Sequence, residues 1–320
     1  MSDGMLKKYY QFELGQVCSR LSSGKGIAAK EISEHGVYPV FGGNGLRGYS
    51  DRKNFEGQCA IIGRQGAFCG NVRFFSGEAY MTEHAVVVCA NEKSDIKYLS
   101  YLLGTLNLGR LSGQSAQPGL SVKTLSKQVI QLPDISKQRQ IAKVLSAFDE
   151  KIELNTQINH NLEEQAKALY DQIWDNYDSG TWSSAKAEDL FDISIGKTPP
   201  RKESQWFSEN DNDIVWVSIA DMGQSGCFIS NSSEYLTPDA VSKFNVKRVP
   251  AGAILLSFKL TVGRVAITGC ELTTNEAIAH FRMEDSTIRE YLYFYLKHFN
   301  YQTMGSTSSI ATAVNSKMVK

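Results

Sequence analysis

Glycine, lysine and histidine patterns are the first places to look for chemistry in these 320 residues. Gly43-x-Gly45-x-x-Gly48 has the spacing of a dinucleotide fingerprint, whose glycines let a pyrophosphate approach the backbone. That site needs an apolar-faced helix to follow, and Tyr49-Ser50-Asp51-Arg52 leads instead into another glycine-bounded strand. Gly196-Lys197-Thr198 ends like a phosphate loop, but the first glycine of that motif would fall on Phe191, and Pro199-Pro200 follows at once. It reads as a turn. Base methylation needs an Asn/Asp-Pro-Pro-aromatic loop to grip a flipped base, and the sole Pro-Pro pair lies in Thr198-Pro199-Pro200-Arg201. The histidines (His35, His84, His160, His280, His298) form no HExxH pattern, and Asp211-Asn212-Asp213 has neither nuclease nor calcium-loop spacing. Both groups read as surface residues, with no catalytic residue and no metal ligand assigned.

What is left is recognition chemistry. Arginine pairs bidentately with guanine, and asparagine or glutamine with adenine, so polar residues on glycine-rich turns are natural readers of DNA. In the first half these are Lys25, Asn44, Arg47, Arg64 and Gln65, and in the second Lys197, Arg201, Lys202, Lys259 and Arg264. The same turns also have a purely conformational reading, with Arg64 or Arg264 bonding backbone carbonyls.

Composition sets the frame for these residues. The length suggests two domains, and a 42% hydrophobic share suffices for packed cores. Net charge is zero, but its distribution is uneven: +5 over residues 1–133, −4 over 134–180 and −1 over 181–320. Local basic surface with a neutral total permits DNA reading, and it speaks against a strong non-specific binder. Six scattered cysteines (Cys18, Cys59, Cys69, Cys89, Cys227, Cys270) have no zinc-clamp spacing and read as reduced, buried, cytosolic thiols. No apolar run reaches 18 residues, and the start, MSDGMLKKYYQF, has no leader pattern. A soluble cytoplasmic protein with no membrane contact is expected.

The elements that position the candidate residues are repeated at an offset of about 193. Phe12-Glu13-Leu14-Gly15-Gln16-Val17 before Gly24-Lys25 is echoed by Leu190-Phe191-Asp192-Ile193 before Gly196-Lys197. Cys59 to Arg64 aligns with Gly252 to Ser257, and Gly70-Asn71-Val72 with Gly263-Arg264-Val265, both predicting hairpins. Thr82-Glu83-His84-Ala85 is echoed by Thr274-Asn275-Glu276-Ala277. Tyr98 to Leu103 and Tyr291 to Leu296 predict helices, and Leu120 to Thr124 lines up with Val314-Asn315-Ser316-Lys317-Met318. The reading is an α+β chain of two similar strand-rich domains, residues 1–133 and 181–320, joined by a helical spacer over 134–180.

From Ile135 to Trp174 there is neither glycine nor proline, which predicts one long helix. Ile141, Leu145, Phe148, Ile152, Leu162, Ala166, Leu169 and Ile173 recur at spacings of three and four, with Asn155 and Asn159 in the same stripe. That is a coiled-coil seam, with a helix packed only on its own domain as the alternative. At 1.5 Å per residue the seam spans roughly 50 Å.

Two domains on a spacer that opens Leu132-Pro133 and continues to Gln138-Arg139-Gln140-Ile141-Ala142 resemble the type I restriction-modification specificity subunit. Further likenesses are Tyr38-Pro39-Val40-Phe41-Gly42-Gly43-Asn44-Gly45, the Gly63-Arg64-Gln65-Gly66 turn and Gln117-Pro118-Gly119-Leu120-Ser121. The resemblance implies two target recognition domains, each reading half of a split double-stranded DNA site. It implies that the helices dock methyltransferase (modification) subunits and set the gap. Methylation with S-adenosylmethionine and cleavage with ATP and Mg would belong to the methyltransferase and the restriction motor-nuclease partners, with no cofactor on this chain. The family usually carries a second helical segment after the second domain, whereas this sequence stops at Lys320; self-association through the spacer helix is then one expectation. The readings from other classes are a coiled-coil adaptor with repeated protein-binding domains and a stand-alone nuclease or methyltransferase.

Overall fold

Runs of Val, Ile, Phe and Tyr bounded by glycine become strands in both halves, because branched and aromatic side chains suit a half-buried pleated surface. In the computed structural model, which describes residues 9–112, 119–176 and 185–301, the chain divides into two units, Met1–Thr156 and Gln157–Lys320.

The first unit runs β1 (Tyr10–Glu13), β2 (Cys18–Ser23), β3 (Tyr38–Gly42), β4 (Gly45–Ser50), β5 (Phe55–Gly63), β6 (Val72–Met81) and β7 (Ala85–Ala90). It continues through α1 (Ile96–Thr105), α2 (Val122–Ser126) and β8 (Val129–Leu132) into α3 (Ile135–Asp175). Six strands form a sheet in the order β2-β7-β5-β6-β3-β4, and β1 pairs with β8. In the β5–β6 hairpin Gly57 faces Gly77. Both have positive φ, 119° and 134°, which glycine adopts without a Cβ penalty, and the end of β6 goes on to pair in parallel with β3. Ala60, Ile62, Val86 and Val88 share one core with Leu99 and Leu103 of α1. Burying each larger side chain contributes roughly 1.5–3 kcal/mol. The Asp95 carboxylate caps α1 by accepting from Tyr98 N at 3.0 Å. Buried Gln138 accepts from Asp95 N (3.0 Å) and donates to the carbonyls of Pro133 (2.9 Å) and Lys93 (3.2 Å), which fastens the start of α3 to the start of α1.

The second unit takes the end of α3, then α4 (Ala187–Leu190), β9 (Asp192–Ile195), β10 (Phe207–Ser208), β11 (Ile214–Val217), α5 (Ile219–Gln224), β12 (Phe228–Ile229) and β13 (Tyr235–Leu236). After α6 (Pro238–Phe244) come β14 (Ile254–Ser257), β15 (Val265–Thr268), β16 (Thr273–Thr274), β17 (Ile278–Arg282) and α7 (Arg289–His298). Its sheets are β12-β15-β14-β17-β9 and β10-β13-β11-β16. Leu292, Phe294 and Leu296 of α7 share a core with Ile254, Leu256 and Phe281, and Tyr170 of α3 joins it, its ring 5.1 Å from that of Tyr291.

The repeat is real at the level of topology. β2-β7-β5-β6 and β9-β17-β14-β15 have the same order and the same antiparallel pairings. Val40 opposite Tyr80 is matched by Trp216 opposite Thr273, both in parallel pairs. The register corrects the sequence alignment by one residue in two places. Ile62 faces Val86 as Leu256 faces Ala279, so Arg64 corresponds to Phe258, not Ser257. Arg64 N donates to His84 O as Phe258 N donates to Ala277 O, which moves Thr82 onto Asn275 rather than Thr274. The loop from Gly63 to Gly70 is one residue longer than that from Ser257 to Gly263, and matching by residue type hides that insertion. Residues Val314–Met318 and Gln117–Pro118 lie outside the described residues.

The spacer helix spans 41 residues. It buries Gln138 and Ala142 in the first unit and Tyr170 in the second, a stripe distinct from the apolar row. Leu145, Phe148 (62% exposed), Ile152 (64%), Leu162, Leu169 and Ile173 face solvent, as do Asn155, Asn159 and Ala166, while Ile141 is half-buried. Two further expectations need correction. His280 is fully buried rather than on the surface, because both faces of β17 are packed, Ala279 and Phe281 in one core and Ile278 in another. Of the six cysteines only Cys59 is fully buried; the other five are half-buried.

Candidate nucleic-acid interface

One structural device occurs twice. After β2, Gly24 N donates to Ala85 O (3.0 Å) and Lys25 N to Met81 O (2.9 Å). After β9, Gly196 N donates to Ile278 O (3.1 Å) and Lys197 N to Thr274 O (2.9 Å). The carbonyls are equivalent in the two sheets. Glycine is required at both turns: a Cβ on Gly24 would lie 2.0 Å from Met81 O, and one on Gly196 2.0 Å from Thr274 Oγ1. Each turn therefore presents an exposed lysine from a fixed backbone.

In the first unit the sequence-derived residues are brought together, and Arg64 does the joining. Its Nε donates to Leu120 O (3.2 Å), and its Nη1 lies 3.4 Å from Ser23 Oγ and 3.5 Å from Glu83 O. Gly43 packs against the backbones of Arg64, Gln65 and His84, and the stem of Arg47 lies over Gly42. Lys25, Asn44 and Gln65 are exposed on the turns so gathered and Arg47 on β4 beside them, and their side chains make no hydrogen bond or ion pair among the described residues. The glycines of the dinucleotide-like spacing, Gly43, Gly45 and Gly48, fall on the β3–β4 hairpin.

The second unit uses its cations differently. Lys197 Nζ donates to Phe244 O at 2.7 Å. The Arg201 guanidinium lies 4.3 Å from the Phe207 ring centre and 4.5 Å from that of Trp216, and pairs with Glu234 at 2.8 Å. Arg264 Nη1 donates to Ile219 O (2.5 Å), and its guanidinium covers Gly223. Lys259 lies over the neighbouring Phe258 ring at 5.4 Å. Lys202 is exposed, with no partner among the described residues. Lys197 and Phe258 are held by carbonyls of one connection, Thr274 and Ala277, whereas Arg264 turns away towards α5.

Sequence reasoning passed over a recess in the first unit. A cavity of about 360 Å³ is lined by Asn44, Phe68, Asn71, Arg73, Gly104 and Asn107, among others. Arg73 lies over Gly45, whose φ of +99° keeps that position free of a side chain. Asn107 takes the left-handed conformation (φ 43°), which asparagine tolerates, directly after α1. Gly104 sits inside α1, where glycine weakens a helix by roughly 0.5–1 kcal/mol against alanine, and a Cβ there would meet nothing within 4 Å. The usable signal was the isolated helical glycine followed by Asn107. At the equivalent place the second unit has a cavity of about 290 Å³ lined by Arg264, Tyr293 and Lys297. There Lys297, which corresponds to Gly104, pairs with Glu163 of α3, and Tyr293 OH donates to the same carboxylate at 2.8 Å. Burial alone would raise the Glu163 carboxyl, but hydrogen bonds from Lys297 and Tyr293 outweigh it and hold it below the usual range.

Among the described residues no group of three or more His, Cys, Asp or Glu side chains is placed to hold a metal ion, and no helix is long and apolar enough to cross a membrane.

Comparison with known proteins agrees with this two-part organisation. The profile of the type I restriction modification DNA specificity domain matches residues 7–164 and again 179–320. The chain is 41% identical over 140 residues to the type I restriction enzyme EcoprrI specificity subunit of Escherichia coli, a match covering 42% of this chain and 35% of that protein. It is 30% identical over 117 residues to the MjaIX specificity subunit of Methanocaldococcus jannaschii (36% and 26%), and 23% identical over 252 residues to the HindI specificity subunit of Haemophilus influenzae (56% and 54%). The matched stretches thus span between about a quarter and a half of those curated relatives. Among solved structures, the S subunit of the type I restriction-modification system from M. genitalium shares the fold, with a TM-score of 0.64 at 16% identity over 100% of this chain and 84% of that one.

Proposed function

The chain belongs to the type I restriction-modification DNA specificity family, and on that premise we propose that it is the sequence-reading subunit of such an enzyme. Each of its two target recognition domains reads one half of a bipartite duplex target. The observation that carries this reading is the lysine-bearing turn built twice, by the same backbone hydrogen bonds, on two copies of one sheet. Two like heads suit a split target better than a single continuous site. Residues 1–133 and 181–320 are the reading domains, and 134–180 the spacer.

Within this proposal Lys25, Asn44, Arg47 and Gln65 make the first head's contacts, with Lys197, Arg201, Lys202 and Lys259 in the second. Arg64 and Arg264, both half-buried, shape the loops that carry them, since their donors serve backbone carbonyls, whereas Lys197, which also donates to a carbonyl, is exposed. The chain performs no chemistry and binds no cofactor. S-adenosylmethionine belongs to the methyltransferase partner, and ATP and Mg to the motor-nuclease partner. The exposed row from Leu145 to Ile173 is the surface on which methyltransferase subunits, or a second copy of the chain, dock, and the complex works in the cytoplasm.

The test is selection from a randomised duplex pool at physiological salt, by the chain alone and with a cognate methyltransferase subunit. Enrichment of a split motif with a fixed gap is expected. No enrichment in either setting would reject the reading in favour of a coiled-coil adaptor that binds protein.

A further inference from the structure

We propose that the first unit holds a pocket for one unstacked purine base, formed by Asn44, Asn71, Arg73 and Asn107 around the space that Gly104 keeps clear. This deepens the DNA-reading proposal and rests on it for the ligand's source. Four observations lead to it. Asn44, Asn71, Arg73 and Asn107 line one cavity of about 360 Å³, and among the described residues none of their side chains has a hydrogen-bond or ionic partner. That volume is at the low end for small-ligand sites. Gly104 weakens its own helix with no steric neighbour to require it, and the equivalent residue in the second unit, Lys297, uses the same place for an ion pair with Glu163. Phe68, 45% exposed, adds an aromatic face at the rim.

The chemistry of the lining selects among ligands. A recess cannot reach base edges on the floor of an intact major groove, which is about 8.5 Å deep; it can receive only what projects from the duplex. A phosphate would use donors and leave three amide carbonyls idle, whereas the Hoogsteen edge of a purine offers acceptors and, in adenine, a donor as well. Arginine suits guanine and asparagine suits adenine, and an aromatic face suits stacking. A purine extruded from the target and a free purine nucleotide present the same edge, and the experiment separates them.

The full chain is titrated with its selected duplex carrying 2-aminopurine at each purine position in turn, and separately with dAMP and dGMP by calorimetry. The variants are Gly104→Lys, which fills the space with the second unit's residue and favours the helix, and Asn107→Ala. The expected result is a several-fold rise in 2-aminopurine fluorescence at one position of the first half-site. It should be lost in Gly104→Lys, with about tenfold weaker binding to that duplex and unchanged binding when the position is abasic. Nucleotide binding lost in Gly104→Lys, without fluorescence change on any duplex, would assign the pocket to a free nucleotide. Tight duplex binding with no fluorescence change, no nucleotide binding and no effect of Gly104→Lys would overturn the pocket while leaving DNA reading intact. Failure to bind any duplex would remove the DNA reading itself, and the nucleotide titration would then decide the pocket alone.

Discussion

Beneath the same turn the two units hold different chemistry. Under Lys197, His280 Nδ1 and Ser194 Oγ are 3.0 Å apart, and Nε2 and Thr274 Oγ1 are 2.7 Å apart. Under Lys25 the equivalent positions are Val87, Ser22 and Met81, and the core is largely apolar. A second contrast lies at the next strand end: Arg64 braces the first unit with hydrogen bonds to three segments, whereas its counterpart Phe258 is a buried ring. The two turns therefore share their backbone hydrogen bonds, their glycine and their lysine, over side chains that differ at Val87 and His280 and at Met81 and Thr274. Main-chain geometry specifies the lysine's position, and the side chains below are free to differ as long as they are satisfied.

The most severe test attacks what the units share. Gly24→Ala and Gly196→Ala each place a Cβ about 2.0 Å from an oxygen, which forces the turn to move. Each is expected to cost about 3 kcal/mol, at the upper end of overpacking effects. Hydrogen exchange should show faster exchange at the Lys25 amide in one variant and the Lys197 amide in the other. If only one variant responds, the turns are not equivalent.

Acid should separate the units next. Burial, with the nearby charge of Arg282, holds the His280 imidazole down at about 4 from an ordinary 6.5. The unfolded chain therefore takes up the proton first. The second unit keeps this contribution above pH 6.5 and loses it progressively as pH falls towards 4, to a total of roughly 3 kcal/mol. Val87 gives the first unit no such loss. Urea unfolding across that range, read by exchange in each unit, is expected to show the second unit falling faster. His280→Val should flatten the difference, at a cost near neutral pH of about 1–3 kcal/mol for the Ser194 hydroxyl that loses this partner, while Thr274 Oγ1 keeps its bond to Asn275 O. Parallel decline of the two units in the unmodified chain would count against this reading.

A smaller effect is expected from Arg64→Ala, about 2 kcal/mol of stability from the lost hydrogen bonds. Base preference in the selected duplex should be unchanged once the variant is fully folded. A change of preference at one base pair, with stability intact, would make Arg64 a reader instead of a brace.

The sequence displayed the parts of the molecule that depend on local pattern. Tyr98 to Leu103 and Tyr291 to Leu296 are helical, the glycine-flanked runs are hairpins, and Ile135 to Trp174 is one helix, since periodicity and glycine placement act over a few residues. Register was not legible, because one extra residue between Gly63 and Gly70 puts β5 and the strands after it at different offsets, and matching by residue type aligned Cys59 to Arg64 at the offset of the later strands. Neither the burial of His280 nor the grouping of Asn44, Asn71, Arg73 and Asn107 was legible. Both depend on strands and loops separated by tens of residues meeting in space, and a single histidine or asparagine carries no sign of its future neighbours.

The smallest predicted effect is a gain. Glu276, in the second unit, accepts from Thr198 Oγ1, and the equivalent pair in the first unit is Glu83 and Gly26. Glu83 Oε2 is buried without a hydrogen-bond partner, and a Cβ on Gly26 would meet nothing nearer than that oxygen, at 3.8 Å. Gly26→Thr would therefore supply a missing donor without a clash. The hydrogen bond should stabilise the first unit by about 1 kcal/mol, with a further few tenths from restricting the unfolded chain. A higher urea midpoint with an unchanged slope would show that the units differ here by one hydroxyl on a common backbone. An unchanged or lower midpoint would mean that the turn after β2 departs from its counterpart in backbone geometry, and that the equivalence stops at Lys25.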